Sequence, residues 1–304
     1  MNTQVSSLHA SIVSLDTSIQ TLTDLIQSQN LEFIMEAHDG LSAAVAAQAG
    51  FKALWASGLS ISSSLGYRDA NEASWTQMVD VVERMADASG LPILVDGDSG
   101  FGNFNNARLL AAKLQQRGAS GVCLEDKGFP KMNSFVGNRH LLADVDEFSG
   151  RLRAVKDSVP DMVLVARIEA LIAGYGLDEA LERATAYADA GADAVLIHSR
   201  KSDAAEILEF TRQWAGKLPV VIVPTKYYKT PVSAYREAGI STVIWANHNM
   251  RAAIAAMRTT CGRIFAEESI ASVEGDVATL EDVFGLLRYD ELSAAEDRYL
   301  PKHA

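Results

Sequence analysis

LPILVDGDSGFGN, residues 91–103, and GVCLEDKGFPKMNSF, residues 121–135, decide how the chain is read. Pro92 to Val95 has the length and apolar β-rich character of a buried strand, and it runs straight into Asp96 and Asp98. A strand's two-residue period points both carboxylates to one side. Gly97 separates them without a side chain, and Ser99, Gly100, Gly102 and Asn103 make a turn ahead of an apolar-periodic helix from about Ala107 to Gln116. The second piece repeats the arrangement: strand Gly121 to Leu124 delivers Glu125 and Asp126, followed by a loop carrying Lys127, Lys131, Asn133 and Ser134. Acids gathered at two strand ends repel one another unless a cation or proton intervenes. Hard oxygen ligands with no His or Cys suit magnesium or manganese rather than zinc. The stretch therefore reads as a divalent metal site beneath a polar lid.

The same unit recurs along the chain. Apolar strand cores are expected at Phe33 to Met35, Ala53 to Ala56, Pro92 to Val95, Gly121 to Leu124, Met162 to Ala166, Ala194 to Ile197, Val220 to Val223 and Val243 to Trp245. Helical segments separate them, and Gly50, Gly118, Gly191 and Gly239 sit just before the next strand, where a helix C-cap belongs. Alternating strand and helix with continuous apolar strands means a parallel sheet covered on both faces. Eight such units in one series point to an α/β fold of the (β/α)8 TIM-barrel type, with an open doubly wound sheet as the other arrangement that fits.

Barrel active sites gather where strand C-termini meet the following loops. Those ends read Glu36 and His38; Trp55, Ser57 and Gly58; Asp96 and Asp98; Glu125 and Asp126; Arg167 and Glu169; His198 and Ser199; Thr225 and Lys226; Asn247 and His248. The opposite ends are mostly glycine, alanine, proline and hydrophobic residues. Carboxylates for a metal, an arginine suited to carboxylate or phosphate, and histidines able to bind an oxyanion fit a small anionic, oxygen-rich substrate. His38 and His248 are expected to satisfy loop backbone, Asp126 to pair with a basic neighbour, and Tyr227 and Trp245 to pack; Lys127 is ambiguous.

Composition narrows the class. The 304 residues carry 27 Lys and Arg against 39 Asp and Glu, a net charge of -12, which argues against nonspecific nucleic-acid binding. Cys123 and Cys261 form neither a metal-ligand spacing nor a disulfide framework, so burial of each and a reducing compartment are expected. No apolar run approaches the roughly 20 residues of a membrane span, and the N-terminus lacks the pattern of a signal peptide. A cytoplasmic protein that does not enter membranes is the expectation.

Residues 1–30 differ from the rest, being rich in Ser, Thr and Gln without glycine or aromatics. Val5, Leu8, Ile12, Leu15, Ile19, Leu22 and Ile26 form the stripe of an amphipathic helix, which either closes one end of the core or pairs between subunits. The expected organisation is thus a helical extension, 1–30, ahead of a catalytic barrel, 31–304, with further helices at Arg251 to Glu268 and Val277 to Leu287. The G-x-G of DSGFGN is too weak to indicate a nucleotide, since its glycines serve the turn.

EAHDGLSA, WASGLSISSSLGYRDANEASWTQ, DGDSGFGNFNNAR, GVCLEDKGFPKMNSF, VARIEALIAGYGLDEAL, GADAVLIHSRKS, VVIVPTKYY and VIWANHN, in that order, resemble the phosphoenolpyruvate mutase family of the isocitrate lyase superfamily, from about Leu22 onward. The resemblance implies a barrel whose eighth helix is exchanged between subunits, in homodimers or homotetramers. It implies an isomerase moving a phosphoryl group between the enol oxygen of phosphoenolpyruvate and C3 of phosphonopyruvate, forming the carbon–phosphorus bond of phosphonate biosynthesis. Flow in that direction would need a downstream enzyme, commonly a phosphonopyruvate decarboxylase. By similarity Asp96 would ligate magnesium directly, with Asp98 and Glu125 holding its waters. Asp69 would stand beside the transferring group; Ser57, Gly58 and Leu59 would hold the carboxylate and enolate oxygen, with Trp55 as a wall. Arg167 and His198 would bind the phosphoryl group, and Lys131, Asn133 and Ser134 belong to a gating loop that keeps water out.

Rival readings are phosphonopyruvate hydrolase, a carbon–carbon lyase of the isocitrate or methylisocitrate type, and a non-catalytic barrel. KMNSF, with Asn133, is like the mutases, whereas such lyases carry a cysteine in a KRCGH-like loop. A scaffold would be expected to have lost part of the set Asp69, Asp96, Asp98 and Glu125.

Overall fold

The computed structural model describes residues 20–136 and 141–301. Eight parallel strands close into one barrel in chain order, β1 (Glu32–Ala37), β2 (Leu54–Ala56), β3 (Ile93–Asp96), β4 (Gly121–Glu125), β5 (Val163–Ile168), β6 (Ala194–Ile197), β7 (Val220–Ile222) and β8 (Thr242–Trp245), with β8 pairing back to β1. Each overlaps the strand expected from its apolar run. The helices are α1 (Leu22–Ile26), α2 (Gly40–Gln48), α3 (Gly58–Ser64), α4 (Trp75–Ser89), α5 (Phe104–Gln116), α6 (Val145–Ser158), α7 (Ala170–Ala173), α8 (Leu177–Asp189), α9 (Ala205–Trp214), α10 (Val232–Glu237), α11 (His248–Glu267), α12 (Leu280–Leu286) and α13 (Tyr289–Tyr299). Gly50, Gly118, Gly191 and Gly239 all take positive φ, the left-handed stop that lets a helix turn back into the next strand.

Two apolar layers explain why the strands are hydrophobic on both sides. Alternate residues such as Leu54, Val95, Val122 and Leu164 face outward into the helical layer, while Ile34, Leu94, Cys123, Val165, Leu196 and Ile244 fill the barrel interior. Leu22, Leu25 and Ile26 of α1 join that interior cluster, so α1 plugs the end of the barrel opposite the polar strand ends. Val5, Leu8, Ile12, Leu15 and Ile19 of the predicted stripe lie outside the described residues. Of the two cysteines, Cys123 is buried but Cys261 is exposed on α11, because that helix turns most of its surface outward, including Phe265 at 88% exposure.

The plug leaves one glycine no room for a side chain. A Cβ on Gly121 would stand 2.6 Å from Leu22 Cδ2 and 3.0 Å from the Val163 carbonyl oxygen. Gly121→Ala is therefore expected to lower stability by about 1–3 kcal/mol, the usual cost of overpacking, measured by denaturant unfolding. An unchanged midpoint would show that α1 yields without cost.

Candidate active site

Polar strand ends do converge. Trp55, Ser57, Leu59, Asp69, Asp96, Glu125, Lys131, Asn133, Ser134, Arg167 and His198 line one cavity at the C-terminal mouth of the barrel, together with Lys127, Phe135, Thr225 and Asn247. Gly58 and Asp98 stand immediately behind its wall: a Cβ on Gly58 would lie 3.1 Å from Asp96 Oδ2 and 3.2 Å from Asp98 Oδ1. Ser57 closes β2 and caps α3, accepting the Ser60 N–H at 3.3 Å. His38 is held instead by Glu36, Nδ1 to Oε1 2.6 Å, and His248 opens α11 as an exposed residue. Tyr227 is buried and Trp245 stacks on Phe33.

One detail differs from the strand-period argument. β3 ends at Asp96, and Asp98 adopts a left-handed backbone, φ 51°. The two carboxylates meet because the turn at Gly97 redirects the chain, not because the pleat continues. Gly97 is required there, since a Cβ would come within 2.7 Å of Val122 and 2.8 Å of Leu124.

The charges are buried and unevenly matched. Asp69, Asp96, Asp98, Glu125 and Glu169 face Lys127, Lys131 and Arg167, five carboxylates against three cations. Lys131 Nζ lies 2.9 Å from Asp69 Oδ1 and also touches Asp98 Oδ1. Asn71 Nδ2 donates to Asp98 Oδ2 at 2.6 Å. Even so, burial and then the neighbouring charges of Asp96, Asp69 and Glu125 push Asp98 up to about 8 against the pull of Lys131. Asp96 receives only long contacts, from the N–H groups of Gly58 at 3.3 Å and Asp98 at 3.4 Å, and Glu125 Oε1 is buried without a partner. More carboxyl groups than cations, one of them pushed toward its protonated form by its acidic neighbours, with an orphaned carboxylate oxygen and oxygen-only donors, fit a hard divalent cation. Among the described residues no three such side chains form a closed metal cage.

The loop after β4 reaches across this mouth. Asn133 Nδ2 donates to Asp69 Oδ2 at 2.5 Å, and the Lys131 N–H donates to Asn71 Oδ1 at 2.7 Å. Burial opposes the charge on Asp69, yet Lys131 and then Asn133 hold its carboxyl below the ordinary range. The loop's base is pinned by the Ala143 N–H to the Asp126 carbonyl and the Gly128 N–H to the Leu141 carbonyl, each 2.8 Å. Asp126 pairs with a basic neighbour as expected, Arg183 Nη1 at 3.1 Å, and also accepts from Tyr187 Oη and the Glu169 N–H at 2.8 Å each.

Arg167 and His198 come together, Nη2 to Nδ1 2.8 Å, with Nδ1 also 2.8 Å from Glu169 Oε1. Burial and the adjacent guanidinium hold the imidazole below its usual pKa, so it is neutral at pH 7. A neutral ring can satisfy one of those neighbours through Nδ1 at a time. Glu169 and Lys127 are site residues to which sequence reasoning gave no role. The sequence puts Glu169 beside Arg167 at a strand end but marks no partner for it. Lys127 had no comparable signal.

Known proteins resemble this chain over most of its length. The family model for phosphoenolpyruvate phosphomutase matches residues 22–265. A phosphoenolpyruvate phosphomutase from Tetrahymena pyriformis is 52% identical over 92% of this chain and 94% of its own. The crystal structure of the phosphoenolpyruvate phosphomutase from Streptomyces platensis subsp. rosaceus superposes with a TM-score of 0.90 at 42% identity, covering 92% of this chain and 98% of that one. A phosphonopyruvate hydrolase in complex with oxalate and Mg++ is more distant, with a TM-score of 0.86 at 36% identity, covering 92% and 98%.

Proposed function

The chain belongs to the phosphoenolpyruvate phosphomutase family, and on that premise we propose how its residues carry out the interconversion of phosphoenolpyruvate and 3-phosphonopyruvate. It is an isomerase, and its similarity to the mutases exceeds that to the hydrolase. In one direction the phosphorus–C3 bond breaks, its electron pair enters the pyruvate enolate, and the enolate oxygen becomes bonded to phosphorus. Nothing is gained or lost, so the chain's task is to hold two fragments and keep water away.

Ser57 and the backbone N–H groups of Gly58 and Leu59 hold the carboxylate and the C2 oxygen, against the wall of Trp55. Arg167 binds the phosphoryl oxygens, and neutral His198, with Nδ1 accepting from Arg167 Nη2, donates to them through its Nε2–H. Asp69 stands beside the travelling group, with Lys131 and Asn133 fixing its carboxylate. Magnesium, with manganese as a substitute, would be held by Asp96 and, through water, by Asp98 and Glu125. When bound it would stabilise negative charge on the enolate and carboxylate oxygens. The observation that carries this reading is the contact of Lys131 and Asn133 with Asp69: the lid that excludes water is built onto the residue beside the reaction.

Among the described residues no helix is long and apolar enough to cross a membrane. A cytoplasmic location is proposed from the two free thiols and the acidic composition. Exposed Met257 and Phe265 on α11 support exchange of that helix between subunits, giving a homodimer or homotetramer. Residues 1–30 are taken as an extension ahead of the catalytic barrel, 31–304. Coupling to a phosphonopyruvate decarboxylase or another consumer of the product would place the enzyme in phosphonate biosynthesis.

The test is phosphorus NMR of phosphonopyruvate with the purified protein and magnesium. Phosphoenolpyruvate should appear and should cease to appear when EDTA is added. Inorganic phosphate and pyruvate alone would mean that the lid admits water and the chain is a hydrolase.

A further inference from the structure

We propose that Glu169, which lies outside the substrate cavity, is the positioning residue that couples lid closure to the phosphoryl-binding pair. The proposal rests on the mutase reading. Glu169 is completely buried at the end of β5, and its two carboxylate oxygens divide the work between two parts of the site. Oε1 accepts from Arg167 Nε at 2.6 Å and meets His198 Nδ1 at 2.8 Å. Oε2 accepts from Ser134 Oγ of the lid at 2.9 Å and pairs with Lys127 Nζ, at the root of the lid, at 3.1 Å. Lys127 Nζ in turn holds the lid through the Met132 carbonyl at 3.2 Å and Ser134 Oγ at 2.5 Å.

One rigid carboxylate therefore fixes both the guanidinium that receives the phosphoryl group and the hydroxyl that keeps the lid shut. Lid opening breaks Ser134 from Glu169 and leaves a buried acceptor short of a donor, which disfavours the open state. Conversely, with the lid shut, Arg167 Nη2 lies 3.2 Å from Ser134 Oγ, so the arginine is held in place from two directions. Burial works against the Glu169 charge, but Arg167, His198 and Lys127 keep it well below the ordinary carboxylate range.

Glu169→Gln tests this with little change of shape. The glutamine amide must turn one NH2 group toward either Arg167 and His198 or Lys127 and Ser134, setting donor against donor on one side. Turnover to phosphoenolpyruvate should fall by about 10²-fold, the scale of a misplaced reacting group. The share of phosphonopyruvate converted to phosphate and pyruvate should rise by on the order of tenfold as closure weakens. In that side reaction water oxygen bonds to phosphorus, the phosphorus–C3 bond breaks, and the water proton ends on C3. A merely structural carboxylate would lower the melting temperature and the active fraction without changing the product ratio.

Ser134→Ala severs the lid arm, together with the Ser134 contacts to Lys127 and Arg167, and leaves the Glu169 contacts with Arg167 and His198 in place. It should shift the product ratio in the same direction, and the double variant should be no worse in that ratio than Glu169→Gln alone, because both changes break one link. An unchanged ratio in Glu169→Gln overturns the proposal. If that variant does not fold, as judged by circular dichroism, an unchanged ratio in Ser134→Ala overturns it instead. Wild-type protein in the same assay separates the two readings: absence of phosphoenolpyruvate there would sink the mutase function, whereas a mutase with an unmoved product ratio sinks only the role of Glu169.

Discussion

Asp69→Asn is expected to abolish measurable phosphoryl transfer, a fall on the order of 10³-fold in kcat, while the protein stays folded and KM for phosphonopyruvate does not rise. The carboxylate is held by Lys131 at 2.9 Å and Asn133 at 2.5 Å, and both contacts spend lid residues on orienting this one group. An amide is nearly isosteric, so the cavity keeps its shape. It lacks the negative charge that Lys131 balances and can no longer accept through both terminal atoms. Binding should survive or improve, since a carboxylate next to an anionic phosphoryl group opposes the ground state. Single-turnover kinetics would separate binding from chemistry. Retention of more than about a tenth of wild-type kcat would remove Asp69 from the reaction centre.

Asp96→Asn should act through the metal instead. Asp96 is nine-tenths buried, yet its hydrogen bonds are long, 3.3 and 3.4 Å, which leaves its charge free for a cation. Loss of that charge should raise the magnesium concentration for half-maximal activity by about 10–100-fold or more, with a comparable loss of rate at fixed magnesium. Metal titration of activity, with calorimetry of magnesium binding to the protein alone, gives two separate readouts. An unaltered magnesium dependence in both would move the direct ligand elsewhere in the cluster.

The barrel was legible because its signal is repeated eight times. Each apolar run is buried on both faces, so burial and sequence agree at every strand, and the polar residues one step beyond each run fall at one mouth. Site membership was clearest where a residue sits at a strand end: Asp96, Glu125, Arg167 and His198. Asp69 lies in a loop between α3 and α4, where no periodicity marks it, and only the likeness of GYRDANE to a known family drew attention to it. Glu169 and Lys127 were undervalued for a different reason. Their importance comes from partners distant in sequence, Ser134 at 35 positions from Glu169 and His198 at 29, and such pairings are set by barrel closure rather than by local pattern. Cys261 was expected inside because free cysteine is commonly buried, but burial depends on what faces the helix, and α11 faces outward.

The α1 plug has a consequence for how this molecule can change. β4 begins at Gly121, against Leu22, and ends at Glu125 in the active site, a rise of about 13 Å over four steps. That separation exceeds the range over which substitutions usually interact, so energetic effects at the floor should add to those at the mouth rather than modify them. Floor and mouth are then independent territories for adaptation. Better packing around Leu22, Leu25 and Ile26 could absorb the destabilisation that new lid or pocket residues bring, letting one lineage of barrels explore different chemistry above an unchanging base.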